Sequence, residues 1–236
     1  MLLSELFDQL TYGELSRLKI GGHDNGEIDP SRYKEIVAHI NLALTDLHKK
    51  FPLNVKELII QQVEWIQTYY LRKEFAETNT ESSEPYKYIM DSPLDPFKND
   101  VIKVEQVYSE NGEEYSLNDP TDTFSVYTPT FDSLTIPFHH NENSVSVIYR
   151  ANHEKIIVDN SFDPDNIHVR IPVSLLEPLL LFVYGRILSN MAGLDNMNEA
   201  SVYMGKYTML CNQITDINLI NKPMHSNMKL YDRGWV

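Results

Sequence analysis

Apolar residues between Ile171 and Ile220 recur at helical spacing and mark two consecutive helices. In the first, Leu176, Leu179, Leu180, Val183 and Ile187 share one face between Leu175 and Asn190. Ser174 and Glu177 have the spacing of a capping box, Pro178 falls in the tolerant first turn, and Gly193 is the expected stop. The second helix is expected to open near Asn196, with Glu199 three residues on, and to end at Lys222-Pro223. Its Ala200, Tyr203, Tyr207, Leu210, Ile214 and Ile217 step alternately by three and four residues, the seam of a hairpin partner. On that reading Leu210→Ala costs about 2–5 kcal/mol.

Near the other end, Tyr33, Ile36, Val37, Ile40, Leu44, Leu47 and Phe51 define the face of a long helix. Asp29 is its N-cap, Pro30 occupies the first position, and Phe51-Pro52 ends it. Residues 2–20 read as two short amphipathic turns, with a second capping box at Thr11 and Glu14. The Gly21–Gly26 stretch is a loop, and its acidic neighbours lack the alternate ligands of a calcium loop. Val55 to Leu71 fits either a helix or a two-stranded ribbon.

From about residue 86 to 171 the period changes to two. Val101 to Tyr108 alternates, Asn111-Gly112 makes a hairpin turn, and Glu113 to Leu117 returns. Further strands are expected at Phe124–Tyr127, Leu134–Ile136, Val145–Tyr149, Ile156–Val158 and Ile167–Ile171, separated by prolines. Short strands at this spacing predict a small antiparallel sandwich or barrel. Thr78 to Glu84 is an exposed polar loop. The fold expected is therefore α+β. A helical bundle, made of the N-terminal long helix and the C-terminal hairpin, carries an inserted antiparallel β-sandwich or barrel-like domain. The boundaries are 1–54, 55–171 and 172–221, with an extended tail at 222–236.

Composition changes the picture in three places. With 34 acidic and 20 basic residues the net charge is -14, and no basic run supplies a phosphate-gripping patch. An acidic surface either keeps the protein dispersed or lines a passage through which DNA slides without adhering. The single cysteine, Cys211, falls mid-helix beside the seam and is expected to be a buried structural thiol. Met1 to Glu5 lacks a basic n-region, so no signal peptide is expected. The apolar run Leu175–Tyr184 is too short to span a membrane, and a soluble, reducing setting is the expectation.

Candidate chemistry is sparse. His139 and His140 would point to opposite faces of a strand, so at most one could join His153 on a metal, and the spacing matches no zinc pattern. Asp163 and Asp165 belong to turn chemistry, and Glu113-Glu114 straddles a strand. No phosphate loop, dinucleotide fingerprint or nucleophile elbow occurs. No catalytic residue, metal or cofactor is expected. The 14 tyrosines and two tryptophans could stack on sugar rings, but most fall on apolar faces.

Read in order, Leu10–Ser16, Ile40–Leu44 with Phe51-Pro52-Leu53, Asn118-Asp119, Tyr127-Thr128-Pro129, Leu134–Pro137, Val147–Ala151, Ile171-Pro172 and Arg233–Val236 resemble the head-to-tail adaptor, or tail-tubular ring, proteins of short-tailed phages. The likeness is strongest to the ring protein under the portal of crAss-like phages. The ordering carries the likeness, since none is specific alone. The resemblance implies strands over Lys56–Leu71 and a non-enzymatic virion protein. It implies a ring, commonly twelve-fold, in the neck between portal and further tail proteins, assembled in the host cytoplasm. Genomic DNA would pass through the lumen without sequence-specific binding, and no membrane is involved. In Met224–Val236, Lys229, Tyr231, Arg233 and Trp235 are the candidate residues for docking on a partner. The alternative is a carbohydrate-binding or fibre-attached β-sandwich module; a hydrolase ranks third.

Overall fold

The computed structural model describes residues 1–13, 28–138, 144–191 and 193–220. Among them the chain is mixed α+β, with four α-helices, an antiparallel sheet of five strands and a separate two-stranded pair. It divides into two units, one made of 1–43 with 158–236 and the other of the continuous stretch 44–157.

In the first unit, α1 spans Leu3–Tyr12 and buries Leu3, Leu6, Phe7 and Leu10. Glu5 caps it by accepting the Leu2 N–H at 2.9 Å. Thr11, expected to cap a second turn, lies inside α1 and donates its hydroxyl to the Phe7 carbonyl. Its would-be partner Glu14, and the loop Gly21–Gly26, lie outside the described residues. Asp29 caps the 3-10 turn Pro30–Arg32 by accepting from Ser31 N–H, and α2 runs on as Tyr33–Lys50. The expected face is buried from Ile36 to Leu47, and Lys49 and Lys50 in the last turn suit the negative end of the helix dipole.

Helices α3 (Leu176–Asn190) and α4 (Leu194–Asp216) form the hairpin, but its details depart from the sequence expectation. Ser174 sits in a 3-10 turn, Val173–Leu175, and Leu175 stands at the N-cap without a side-chain bond, so the Ser174–Glu177 box does not form. Pro172 explains this, because extended backbone before Val173 is followed at once by the tight turn. Gly193 does not stop α3, which ends at Asn190; at φ +126 it starts α4 three residues before Asn196. The seam of α4 is Ala200, Tyr207, Cys211 and Ile214. Leu210 is half-buried and Ile217 is exposed, so the alternating three-four step misassigns both. A straight helix of 3.6 residues per turn drifts off a 3.5 repeat, and after Tyr207 the inward position moves to Cys211.

Aromatic edges hold the hairpin: Phe182 meets Tyr207 at 5.2 Å and Tyr184 meets Tyr203 at 4.3 Å between centroids. Gly185 lets the helices approach, since a Cβ there would come within 3.1 Å of Met204. The window Val173–Asn190, at mean hydropathy 1.2, is long and apolar enough to cross a membrane, unlike the ten-residue run read from the sequence. Half of it is buried, however, and Leu179, Val183, Ile187 and Leu188 make it a core helix of this unit.

The second unit is β-rich. Strand β1 (Val55–Gln61), β2 (Thr68–Tyr70), β3 (Ile89–Met90), β4 (Val101–Ser109), β5 (Glu114–Tyr115), β6 (Ser133–Thr135) and β7 (Ser144–Ala151) follow in chain order. Strand, not helix, is therefore the state after α2, although β1 and β2 do not pair as a ribbon. The large sheet has the order β3-β1-β7-β4-β5, and β2 pairs with β6 alone. In register, Val55 faces Arg150 and Gln61 faces Ser144, which turns Leu58, Ile60, Val145, Val147 and Tyr149 into one core.

Strand β4 is not the simple alternation its sequence suggests. Irregularities between Val101 and Lys103 and between Val104 and Gln106 bury Val101, Val104 and Val107 at every third position. Each extra residue flips the pleat, as a bulge does. The turn into β5 uses Gly112 at φ +84. Phe124–Tyr127 makes only single bridges, from Val126 to Leu117 and from Tyr127 to Thr135. Ile167–Ile171 bridges only through His168 to Leu2, and Ile156–Val158 forms no strand. Strand-prone residues became strands only where a neighbour supplied a ladder.

Candidate functional site

The tyrosines explain much of the β unit before any chemistry is needed. Tyr69 and Tyr88 cross edge to face at 5.0 Å, and Phe75 stacks on Tyr88 at 4.8 Å. Their hydroxyls are tied to backbone: Tyr69 accepts the Val63 N–H at 3.0 Å and Tyr88 accepts the Tyr70 N–H at 2.7 Å. Burial raises both phenols above the usual range, so they serve as neutral hydrogen-bonding groups. Tyr149 does the same toward Asp100, donating at 3.1 Å while Lys56 holds the other carboxylate oxygen at 2.7 Å. Asp100→Ala should cost about 1.5–3 kcal/mol in urea unfolding, the range for hydrogen bonds to a charged group. A loss below about 0.5 kcal/mol would class the cluster with ordinary surface pairs.

Of the acidic side chains singled out by the sequence, Asp163 and Glu114 make structural bonds. Asp163 caps the 3-10 turn Pro164–Asn166, accepting from Asp165 N–H at 3.1 Å and from the Asn166 amide at 2.6 Å. Glu114 accepts from Gln106 at 2.9 Å at the exposed end of the hairpin. The carboxyls of Asp119 and Asp159 lie below the usual range because a neighbouring hydroxyl and N–H, from Thr121 and Ser161, bind each one. Such exposed turn carboxylates are kept ionised, the opposite of what a general acid requires. Cys211, 3% exposed, lies in the α4 seam itself, and burial there makes it a poor nucleophile.

Of the three candidate histidines, His139 and His140 lie outside the described residues. His153 lies just beyond β7, next to a histidine that the sequence reading passed over. Its ring centroid is 5.7 Å from that of His48 in the last turn of α2. His153 Nε2 stands 3.2 Å from Thr45 Oγ1, and its Nδ1 is 2.8 Å from the Glu154 carbonyl. His48 is 3% exposed and its Nδ1 is 2.7 Å from the Leu44 carbonyl. A signal for His48 existed: it follows Leu44 by four residues on the buried face. Among the described residues no cluster of three or more His, Cys, Asp or Glu side chains could hold a metal ion. His48 and His153 would supply two nitrogens, and both Nδ1 atoms are already engaged by carbonyls.

Among the large apolar groups that stay in solvent, two groupings bear on function. Trp65 and Tyr86 meet edge to face at 5.9 Å in the β unit, both exposed. On α4, Leu194, Val202 and Met209 are exposed on the side away from Tyr207, and a Cβ at Gly205 would meet nothing within 4 Å among the described residues. Neither surface was singled out from the sequence, because a half-exposed helix face shows no interruption of the pattern. The docking residues Lys229, Tyr231, Arg233 and Trp235 all lie outside the described residues. No family model matches the chain, and no curated protein matches it.

Proposed function

We propose that the chain is a structural subunit of a virion neck: a head-to-tail connector ring protein that joins the portal to the tail and lines the DNA passage. The observation that carries the reading is the outward side of α4. A glycine inside a 23-residue helix is less favourable than alanine by about 0.5–1 kcal/mol, yet among the described residues Gly205 relieves no contact. With Val202 and Met209 beside it, this side suits close approach by a neighbouring copy, as in a ring. The acidic balance of -14 agrees with a lumen that DNA crosses without sticking.

In the finer form of this reading, α2 and the α3–α4 hairpin make a helical bundle. The segment 55–171 is an inserted sandwich or barrel-like domain, and the segment 222–236 reaches a partner through Lys229, Tyr231, Arg233 and Trp235. The ring is taken as twelve-fold, with the portal on one side and further tail proteins on the other. A second reading, a carbohydrate-binding or fibre-attached module, is supported by the exposed Trp65–Tyr86 pair, which could stack on sugar rings.

Measuring particle mass in solution, free and mixed with a portal ring, separates the two. The connector reading expects monomers alone that become a ring on the portal template. A chain that stays monomeric with the portal and binds glycans, with Trp65→Ala abolishing that binding, overturns it. So does turnover of a glycan or peptide that is lost on replacing His139 or His153.

A further inference from the structure

The place where α2 ends and β7 leaves the sheet is held by a short circuit of polar groups. Asn54 donates its amide to the Asn152 carbonyl at 3.1 Å, the Ala151 N–H donates to the Asn54 carbonyl at 2.8 Å, and Asn152 N–H reaches the Asp100 carbonyl at 2.7 Å. Next to this circuit in the chain, His153 meets Thr45 and His48 of the helix.

The contacts fix the tautomers. A carbonyl oxygen only accepts, so Nδ1 of His48, 2.7 Å from the Leu44 carbonyl, carries a hydrogen. By the same argument Nδ1 of His153 donates to the Glu154 carbonyl. The unprotonated nitrogen of each neutral ring is therefore Nε2, and that of His153 accepts the Thr45 hydroxyl. Any further proton must enter at Nε2. On His153 it reverses the bond to Thr45, turning the ring into the donor; on His48 it places a charge at a site 3% exposed, facing a second imidazole.

The carboxylates on the surrounding elements are engaged elsewhere. Asp46 is held by Lys50 on α2, Asp100 by Lys56 from β1, Glu105 of β4 by Arg150 of β7, and Glu154 by Lys98. Lys49, next to His48, adds a positive charge, and its carbonyl accepts from Arg150. The setting thus favours the uncharged ring of His48.

We propose that His48 and His153 form a proton-sensitive clasp, which while neutral holds the chain leaving β7 against the last turns of α2 and which releases it on taking up a proton. The inference is independent of the connector reading. Burial lowers the His48 value below the ordinary one of about 6.5, with a bond to Leu44 opposing and His153 adding to the depression. A lowered value means the unfolded chain binds the proton more readily. The clasp's stabilisation is therefore complete above the ordinary value and is lost as pH falls through the lowered one.

The test is a titration of the full chain by long-range proton–nitrogen spectra, with His153→Gln and His48→Phe beside it. The expected result is a His48 midpoint below about 6.5, rising by about half a pH unit or more in His153→Gln, where the second charge is gone. The backbone amides of Thr45, Asn152 and Glu154 should move with the same midpoint in the natural chain and lose that transition in His48→Phe, which fills the space but takes no proton. A His48 midpoint that His153→Gln leaves in place overturns the proposal. So do amides that do not follow the ring, or that keep their transition in His48→Phe.

Discussion

Replacing Tyr207 with alanine should destabilise the chain by about 3–5 kcal/mol, the range for removing a large aromatic side chain from a core. Tyr207 is 1% exposed and its ring lies edge to face on Phe182. The residues lining it stand on two helices whose backbones are held in place by their own hydrogen bonds, so the space left can close only partly. Leu210→Ala, three residues on, should cost about 1 kcal/mol, because that side chain is half in solvent already. Urea unfolding of the two variants side by side measures the contrast. Equal losses would mean that the seam of α4 faces a different way, and a loss below about 0.5 kcal/mol for Tyr207→Ala would place it at the surface.

On the connector reading proposed above, ending the chain after Pro223 should leave thermal stability unchanged and abolish attachment to a portal ring. The segment Met224–Val236 carries Met228, Leu230, Tyr231 and Trp235 among Lys229, Asp232 and Arg233. Thirteen residues cannot bury those apolar groups among themselves. In the connector reading they are anchored on the portal or an adjacent subunit, where extended pairing supplies backbone hydrogen bonds and the aromatic rings fill pockets. Trp235→Ala alone should then weaken attachment by about 2–4 kcal/mol, as a central aromatic anchor does. A melting curve and co-sedimentation with portal rings decide the matter. A truncated chain that unfolds assigns the segment to the subunit's own core, and one that still attaches normally removes it from the interface.

Much of the fold could be read along the chain, and the places where it could not have a common cause. Several local signals held, although the Ser174–Glu177 capping box, with its partners only three residues apart, did not form. Asp29-Pro30 starts the turn into α2, Asn111-Gly112 turns β4 into β5, the apolar stripe of α2 faces inward as its spacing says, and that of α3 does so at Leu179, Val183 and Ile187 but not fully at Leu176 and Leu180. Each of these depends on backbone geometry within a few residues. The same holds for Asp163, whose turn role follows from Asp-Pro-Asp-Asn alone.

What the neighbours decide was not legible. Val55–Gln61 is a strand because β7, some ninety residues later, lies beside it, whereas Ile156–Val158 is equally strand-prone and lacks a ladder. The bulges of β4 answer to the register of β7, and the clasp at His48 exists only because the end of β7 returns to the end of α2. By itself, the sequence determined the turn into α2, the turn between β4 and β5 and which composition the surface carries, because these are set by short-range sterics, capping and charge. Only the tertiary structure decided which strands pair, which side of α4 is inward and which histidines meet. Those are outcomes of contacts between residues far apart in the chain, and no local pattern encodes the partner.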